Sequence, residues 1–142
     1  MIEVFLCAVL AVCGEPEPEP NLPPVREAGS ATWYGDGNYH GNIRADGEEF
    51  IPEDVGCAHR SIPLGSEIYV CHAGTTDCIV CPVNDRGPYW AIDEDGAGYV
   101  TLSAGDGEYR DVLDLSMGAV KALNNGQLAT VEVEIRYDHD AL

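Results

Sequence analysis

The sequence predicts a small, mainly β domain that closes into a barrel and carries one or two short helices. Three observations support this prediction. Short β-rich segments recur along the chain, Gly, Asn and Pro separate them at turn positions, and helical signals are confined to one segment. With 142 residues, of which 45% are hydrophobic, the chain is long enough for one domain with a modest core.

Each predicted element has its own local signal. Short apolar runs predict strands in "SATWYG" (30–35), "VGCAH" (55–59) and "DVLDLS" (111–116). The clearest hairpin is "SEIYVCHAGTTDCIVCPVN" (66–84), in which two β-rich runs flank a Gly-Thr-Thr turn. "SMGAVKALNNG" (116–126) predicts a short helix with Ser116 as its N-cap. "TVEVEIRY" (130–137) alternates apolar and charged residues, which is typical of a half-buried strand.

The charge of the chain argues against several classes of partner. Seven basic residues face 25 acidic ones, which gives a net charge of −18. Such a surface repels phosphate backbones, and no Lys/Arg stripe is present, so we expect no nucleic acid partner. Binding to an anionic membrane surface is disfavoured for the same reason. An uncharged or weakly charged substrate fits this composition better.

The first 28 residues predict no part of the fold. Residues 1–13 hold an apolar run, too short to span a bilayer, that resembles a signal peptide followed by "LAVCG". Cys13 would then be the lipid-carrying cysteine of a bacterial lipoprotein; the alternative is an unremarkable apolar start. Residues 14–28 begin with "GEPEPEPNLPP", a stiff, solvated spacer. We therefore expect an exported chain at the cell envelope or outside the cell, with its domain at residues 29–142.

Four cysteines fall within this domain: Cys57, Cys71, Cys78 and Cys81. The second and third flank the hairpin turn and share one face by alternation, so they are the first choice for a disulfide, which leaves the other two as a second pair. The alternative is a zinc site, because C-x-x-C lies close to His59 and His72 in sequence. Alternation places the two C-x-x-C cysteines on opposite faces, which favours disulfides and no metal.

The stretch "PVNDRGPYW" (82–90) carries the first candidate for chemistry. A core strand ends there in Asp85 and Arg86, before a Gly-Pro turn. A carboxylate held at a barrel mouth can protonate or deprotonate a substrate. Three further groups are candidates to converge on it: Glu48 in "DGEEF", His59 in "CAHRSIPLG" and Asp114 in "LDLS". Each also has a structural explanation, such as an ion pair, a solvated surface position, a buried histidine or a helix cap.

The order of these segments adds a resemblance. "ATWYGDGNYHGNIRADGEEF", "CAHRSIPLGSEIYV", "VNDRGPYW" and "LDLSMGAVKAL" together resemble the rare-lipoprotein-A family of double-psi β-barrels, over about residues 31–137. The resemblance implies a six-stranded double-psi β-barrel. It also implies a lytic transglycosylase, which cleaves the glycan strands of peptidoglycan and leaves a 1,6-anhydro-muramic end. No cofactor is implied, and we expect a monomer that acts on glycan strands; the negative charge of the chain favours the peptide-free form.

The resemblance also implies roles for single residues. Asp85 matches the catalytic aspartate, a general acid and base, with His59 as active-site histidine, Glu48 as groove glutamate and Asp114 as the D-L-S aspartate. Five residues are expected to bind substrate: Trp33, Tyr34, Arg86, Tyr89 and Trp90. A catalytic acid needs a raised pKa, and a paired guanidinium would lower it, so we expect the arginine to point away and to bind backbone or another carboxylate.

One segment departs from the family. Residues 91–110 are acidic and rich in Gly where the family usually has a few residues, and they predict a lid, a calcium loop or a surface hairpin. Two rival functions also remain open at this point. One is a non-catalytic, expansin-like module that binds glycan or loosens the wall. The other is a phage-associated or secreted structural protein that keeps the barrel for its shape.

Overall fold

The computed structural model describes residues 21–35, 42–92, 95–100 and 108–142. The strands in these residues are β1 Val25–Tyr34, β2 Cys57–Ala58, β3 Glu67–His72, β4 Cys78–Asp85, β5 Trp90–Ile92, β6 Gly98–Val100, β7 Glu108–Tyr109, β8 Leu113–Ser116 and β9 Val131–Arg136. One α-helix, α1 Met117–Leu123, follows β8, and a 3-10 helix spans His139–Ala141. Within the described segments no helix has the length and apolar character needed to cross a bilayer.

Six of the strands close into a barrel in the order β1-β8-β2-β4-β3-β9. The β1–β8 and β2–β4 pairs are parallel, and the other four pairs are antiparallel. The parallel β1–β8 pair joins strands that are distant in sequence, so the barrel closes only when the first strand meets the C-terminal part of the chain. This architecture confirms the predicted fold class, a mainly β, six-stranded double-psi β-barrel.

The barrel interior is filled by the alternate apolar residues of its strands. Ile68, Val70, Val83, Leu115 and Ile135 are fully buried. Burial of each such side chain stabilises the fold by about 1.5–3 kcal/mol relative to exposure. The alternation of "TVEVEIRY" is therefore the alternation between the interior and the solvent face of β9.

Helix α1 is fixed at its N-terminus by the predicted cap. The Ser116 hydroxyl accepts a hydrogen bond from the Ala119 N–H at 3.1 Å and donates one to the Asp54 carbonyl at 2.6 Å. Gly118 lies so close to this loop that a Cβ atom would sit 2.1 Å from the Glu53 carbonyl oxygen. The Ser116 hydroxyl thus links the helix to the segment before β2, and the absence of a side chain at Gly118 allows the two to approach closely.

The folded unit begins earlier than the sequence predicted. β1 starts at Val25, and Val25 and Glu27 pair with β9. The Pro23 carbonyl also accepts a hydrogen bond from Arg136 Nη1 at 3.1 Å. The predicted boundary at residue 29 is therefore too late, because residues 25–28 already pair with β9. The predicted signal segment and residues 14–20 of the spacer lie outside the described residues.

The cysteines divide into one bonded pair and one free pair. Cys71 and Cys78 form a disulfide across the β3–β4 hairpin, as predicted. Cys57 and Cys81 are free, buried thiols, so the prediction of a second disulfide is wrong. The two lie on neighbouring strands, and the Cys57 Sγ is directed to backbone carbonyls of β4, 3.5 Å from that of Pro82. A hydrogen bond with Cys81 and burial raise the pKa of the Cys57 thiol, which keeps it protonated.

The acidic segment forms a small sheet beside the barrel. β6, β5 and β7 pair antiparallel in the order β6-β5-β7. Of the three predicted structures, the surface hairpin agrees with these strands; residues 93–94 and 101–107 lie outside the described part. No group of three or more His, Cys, Asp or Glu that could hold a metal ion occurs among the described residues.

Candidate active site

An open groove of about 550 Å³ lies where the last residues of β1 and β4 meet β8 and the small sheet. Its walls come from five parts of the chain: residues 32–34, 42–43 with Phe50, Ala58, 85–90, and 110–111 with Asp114. Two carboxyl groups predicted to be functional, Asp85 and Asp114, line this one groove. The strand pairing of the barrel brings them together, because β2 lies between β4 and β8 and its Ala58 is opposite Asp85 on one side and Asp114 on the other.

Asp85 is the last residue of β4, and its carboxylate is held from three directions. Oδ1 accepts hydrogen bonds from the backbone N–H groups of Ala45, at 2.9 Å, and Arg86, at 3.0 Å. Oδ2 accepts one from the Tyr34 hydroxyl at 3.1 Å. All three partners are donors, so the group acts as an acceptor in this structure. Its orientation is fixed by β1, by the 42–50 segment and by its own strand end.

The Arg86 guanidinium is turned away from the carboxylate beside it, as expected. Its Nη1 donates to the carbonyl oxygens of His59, at 3.1 Å, and Ile62, at 2.6 Å. Arg86 also lines the groove. Its described contacts tie the loop after β2 to the end of β4, so it supports the position of Asp85 without pairing with it.

Tyr34 supports Asp85 from the opposite side. Its ring stacks on Phe50, with centroids 4.8 Å apart and planes inclined by 20°. Burial, together with the negative charge of Asp85, raises the pKa of the phenol far above its ordinary value of 10.0. The hydroxyl therefore stays protonated and remains a donor. The predicted substrate-binding tyrosine thus lines the groove and holds the Asp85 carboxylate by a hydrogen bond.

Asp114 has a different environment in the same groove. It lies within β8, mostly buried, and its Oδ1 accepts a hydrogen bond from the Thr32 hydroxyl. Burial raises the pKa of Asp114 above its ordinary value of 3.8, and the nearby charges of Asp111 and Asp85 act in the same direction. The Thr32 hydrogen bond and the positive charge of Arg110 oppose this shift. The groove thus holds two carboxyl groups in contrasting environments.

The His59 side chain does not face the groove, which corrects the predicted placement. Ala58 lines the groove, so alternation directs the next side chain to the other side, where it is 3% exposed. Its Nδ1 accepts the N–H groups of Ser61 and Ile62, both at 3.0 Å, and its Nε2 donates to Glu27 Oε2 at 2.8 Å. These hydrogen bonds of the ring stabilise the loop after β2, whose carbonyl oxygens accept hydrogen bonds from Arg86. Only the backbone N–H of His59 meets Asp85, at its carbonyl, 3.2 Å away.

Glu48 also lies outside the described lining of the groove. It is exposed in a turn in which its backbone N–H donates to Asp46 Oδ1 at 3.0 Å. Asp46 itself pairs with Arg44 at 2.9 Å. The contact of this turn with the site is the backbone N–H of Ala45, which donates to Asp85 Oδ1. The Glu48 side chain is on the exposed side of the turn. The predicted role of the Glu48 carboxylate is therefore not supported by this geometry.

Three of the predicted substrate-binding residues are aromatic side chains that line the groove: Trp33 of β1, and Tyr89 and Trp90 beside the small sheet. The Trp90 indole lies against Gly98 of β6, where a Cβ atom would be 2.1 Å from Nε1. The Arg110 guanidinium lies 5.6 Å from the centre of the indole. The small sheet thus supports Trp90, which is 38% exposed.

Thr32, Arg110 and Asp111 contribute polar groups to the groove and were not predicted as site residues from the sequence. Thr32 had a usable signal, because it lies two residues before Tyr34 and strand alternation places both on one face. Asp111 is 3% exposed and accepts the Ser30 hydroxyl at 2.6 Å and Arg110 Nε at 2.7 Å. No motif marked this pair, since both residues lie at the edge of the acidic segment.

The closed six-stranded barrel is the double-psi β-barrel that the sequence motifs predicted, and its groove holds two carboxyl groups. Residues 26–135 match the family described as lytic transglycolase, and the chain belongs to this family. The Glu27–His59 pair, Asp85 and Asp114 all fall within the matched region.

Curated relatives agree with this membership. The chain is 37% identical over 79 residues, 56% of its length, to the probable endolytic peptidoglycan transglycosylase RlpA of Synechocystis sp., of which it covers 23%. It is 31% identical over 110 residues to the endolytic peptidoglycan transglycosylase RlpA of Pseudomonas aeruginosa, with 78% of this chain and 27% of the relative aligned. The Vibrio cholerae protein of the same name is 29% identical over 109 residues, 77% of this chain and 34% of that protein. The chain spans about a quarter of the length of the first two relatives.

Proposed function

We propose that this chain cleaves the glycan strands of peptidoglycan by lytic transglycosylation. Family membership and the names of the relatives support the reaction class. The observation that carries the proposal is the presence of Asp85 and Asp114 in one groove with contrasting surroundings. Pairs of carboxyl groups whose environments differ in this way divide acid and base roles in glycan-cleaving enzymes.

The reaction needs one proton donor and one proton acceptor. Asp114, whose raised pKa keeps it protonated to higher pH, donates its proton to the glycosidic oxygen as the bond from that oxygen to the anomeric carbon breaks. Asp85, held as an acceptor by three donors, takes the proton of the sugar's 6-hydroxyl as that oxygen bonds to the anomeric carbon. The product is a 1,6-anhydro end, and no water is consumed. Asp114 has lost one proton and Asp85 has gained one, and exchange with solvent restores both groups before the next turnover.

The remaining predicted residues have supporting roles in this proposal. The Asp85 carboxylate also stabilises the positive charge that develops at the anomeric carbon. His59 acts as a positioning residue, through the loop that holds Arg86. Glu48, on the exposed turn beside the groove, contacts a sugar hydroxyl only when a strand extends over that turn. Trp33, Tyr89 and Trp90 provide apolar faces for sugar rings.

The proposed partner is peptidoglycan, and the proposed location is the cell envelope. The acidic surface of the chain, with its net charge of −18, favours strands of low negative charge over general wall binding. Export, a lipid on Cys13 and a monomeric state are further parts of the proposal. The proposals of export and of a lipid on Cys13 depend on residues 1–20, which carry the apolar run and most of the spacer.

Mass spectrometry of peptidoglycan digested with the purified chain tests the reaction. Anhydro ends are the expected product; reducing ends would indicate a hydrolase. Asp85→Asn and Asp114→Asn should each lower the rate by about two to four orders of magnitude, because each removes an acid or base from the reaction. Asp77→Asn is the matched control, since that carboxylate is 76% exposed on the hairpin turn. Tight binding without product, by contrast, would indicate an expansin-like module, and neither binding nor product a structural protein.

A further inference from the structure

Arg110 differs from most of the other arginines in how its side chain is used; Arg26 is the other one that is bonded through Nε, at 3.0 Å from the Tyr137 carbonyl oxygen. Most of the others direct a terminal Nη to a protein acceptor, namely Arg44, Arg60, Arg86 and Arg136. Arg110 is bonded through Nε alone, to Asp111 Oδ2 at 2.7 Å. Among the described residues no group accepts a hydrogen bond from either of its Nη atoms. Its side chain is 49% exposed and lines the groove.

Asp111, which accepts the hydrogen bond from Arg110 Nε, is itself held firmly in place. Asp111 is 3% exposed, and the Ser30 hydroxyl holds its other oxygen at 2.6 Å. The backbone N–H of Arg110 donates to the Trp90 carbonyl at 2.9 Å, which ties the residue to β5. The guanidinium is therefore fixed at one edge, with the Trp90 ring 5.6 Å from its centre, while the Nη edge is left for a ligand. A fixed planar fork of this kind matches a carboxylate.

The surroundings explain why such a cation is useful here. Three aspartates line the groove, Asp85, Asp111 and Asp114, and the whole chain carries a net charge of −18. An anionic group on the substrate would be repelled throughout the groove except where a positive charge faces it. Arg110 also lies close enough to Asp114 for its charge to act on that carboxyl group.

We propose that Arg110 forms a carboxylate-binding subsite of the groove, which takes a carboxylate carried by the glycan strand close to the bond that is cleaved. The subsite rests on the proposed function, since it assumes a peptidoglycan substrate. Two sources supply this chemistry. One is the lactyl carboxylate of a muramic residue without peptide, and the other is a carboxylate of a stem peptide. The amide link to the peptide removes the first, so the two sources are separable.

Binding measured by titration calorimetry tests the subsite. The Asp85→Asn chain serves as background, so that cleavage is slow on the time scale of the titration. The ligands are peptide-free strands, the same strands with their carboxylates converted to methylamides, and strands that keep their stem peptides. Arg110→Gln should weaken binding to carboxylate strands about tenfold, the usual cost of losing a hydrogen bond to a charged group. Binding to methylamide strands should not change.

The controls separate charge, fold and source. Lys121→Gln removes one positive charge from an exposed position on α1 and should leave binding unchanged. Arg110→Lys should retain part of the preference. If Arg110→Gln lowers the thermal midpoint because Asp111 loses its partner, Asp111→Asn is added to remove the unpaired charge. A loss seen with peptide-free strands assigns the lactyl group, and a loss confined to peptide-bearing strands assigns the stem peptide.

The inference is overturned by an equal loss on carboxylate and methylamide strands, or by no loss on either. An Asp85→Asn chain that binds none of the strands overturns it as well. The proposed function is judged separately, by product. If the parent chain shows the Arg110-dependent preference but releases no anhydro ends, the subsite is supported and the transglycosylase proposal fails.

Discussion

The hydroxyl of Tyr34 donates to Oδ2 of Asp85 at 3.1 Å, on the side opposite the two backbone donors that hold Oδ1. The last residue of β1 thereby fixes the last residue of β4, although the two strands are not neighbours in the barrel. The orientation of the groove carboxylate thus depends on the closure of the whole barrel.

Replacing Tyr34 with Phe tests this relationship. The ring can still stack on Phe50, so we expect stability to change by about 1 kcal/mol or less. The loss of the donor to a charged group should lower the rate of anhydro-product release by about 10- to 100-fold. Initial rates and thermal midpoints measure the two effects. Tyr69→Phe, on the outer side of β3, is the control, and an unchanged rate for Tyr34→Phe would show that the contact is dispensable.

The buried carboxyl group of Asp114 predicts a pH dependence of stability. Its pKa in the folded chain is raised above the ordinary 3.8, chiefly by burial. The folded state therefore binds the proton more tightly than the unfolded state does. The resulting stabilisation is fully present below about pH 3.8 and is lost as pH rises through the raised value.

Asp114→Asn removes this dependence. The variant should gain stability relative to the parent as pH rises from 3 to 7, while losing activity. Urea unfolding at several pH values measures the difference, with Asp77→Asn as the exposed control. A constant difference between variant and parent across this range would contradict the assignment.

The His59–Glu27 pair predicts a structural effect. His59→Ala leaves the Ser61 and Ile62 N–H groups and the Glu27 carboxylate without their partner. We expect a loss of about 2–4 kcal/mol in the free energy of unfolding, since unpaired buried groups carry the full cost of desolvation. Glu27→Gln keeps an acceptor for Nε2 and should cost less. A His59→Ala chain that is fully stable yet inactive would instead indicate a catalytic histidine.

The disulfide predicts a measurable part of the stability. The bond closes a short loop, with a sequence separation of 7 between Cys71 and Cys78. Loop-closure entropy for such a loop amounts to about 2–3 kcal/mol, so the Cys71→Ala, Cys78→Ala chain should be less stable by that amount in urea unfolding. After denaturation without reductant, alkylation should label Cys57 and Cys81 but not the bonded pair. Labelling of neither would mean that a second disulfide had formed.

The strands, the helix and the bonded cysteine pair were predictable because their signals are local. Alternation with a period of two identified β3, β4 and β9, and Ser116 before an apolar run identified the start of α1. Cys71 and Cys78 are directly opposed across a hairpin, so their pairing followed from the register of a single turn. The position of Asp85 at a strand end was visible for the same reason, and the motifs around it resembled one family.

The composition of the groove was decided by tertiary structure. Sequence placed His59 and Glu48 beside Asp85, but which side of a strand or turn faces the groove depends on what pairs with it. Ala58 faces the groove because β2 lies between β8 and β4, whereas the His59 side chain is directed away from it to Glu27 of β1. The raised pKa of Asp114 and the free edge of Arg110 likewise arise from segments far apart in the chain. Local sequence patterns determine the strands and the helix. The burial of each site residue and the charges around it depend on residues from distant parts of the chain, which come together only when the barrel closes.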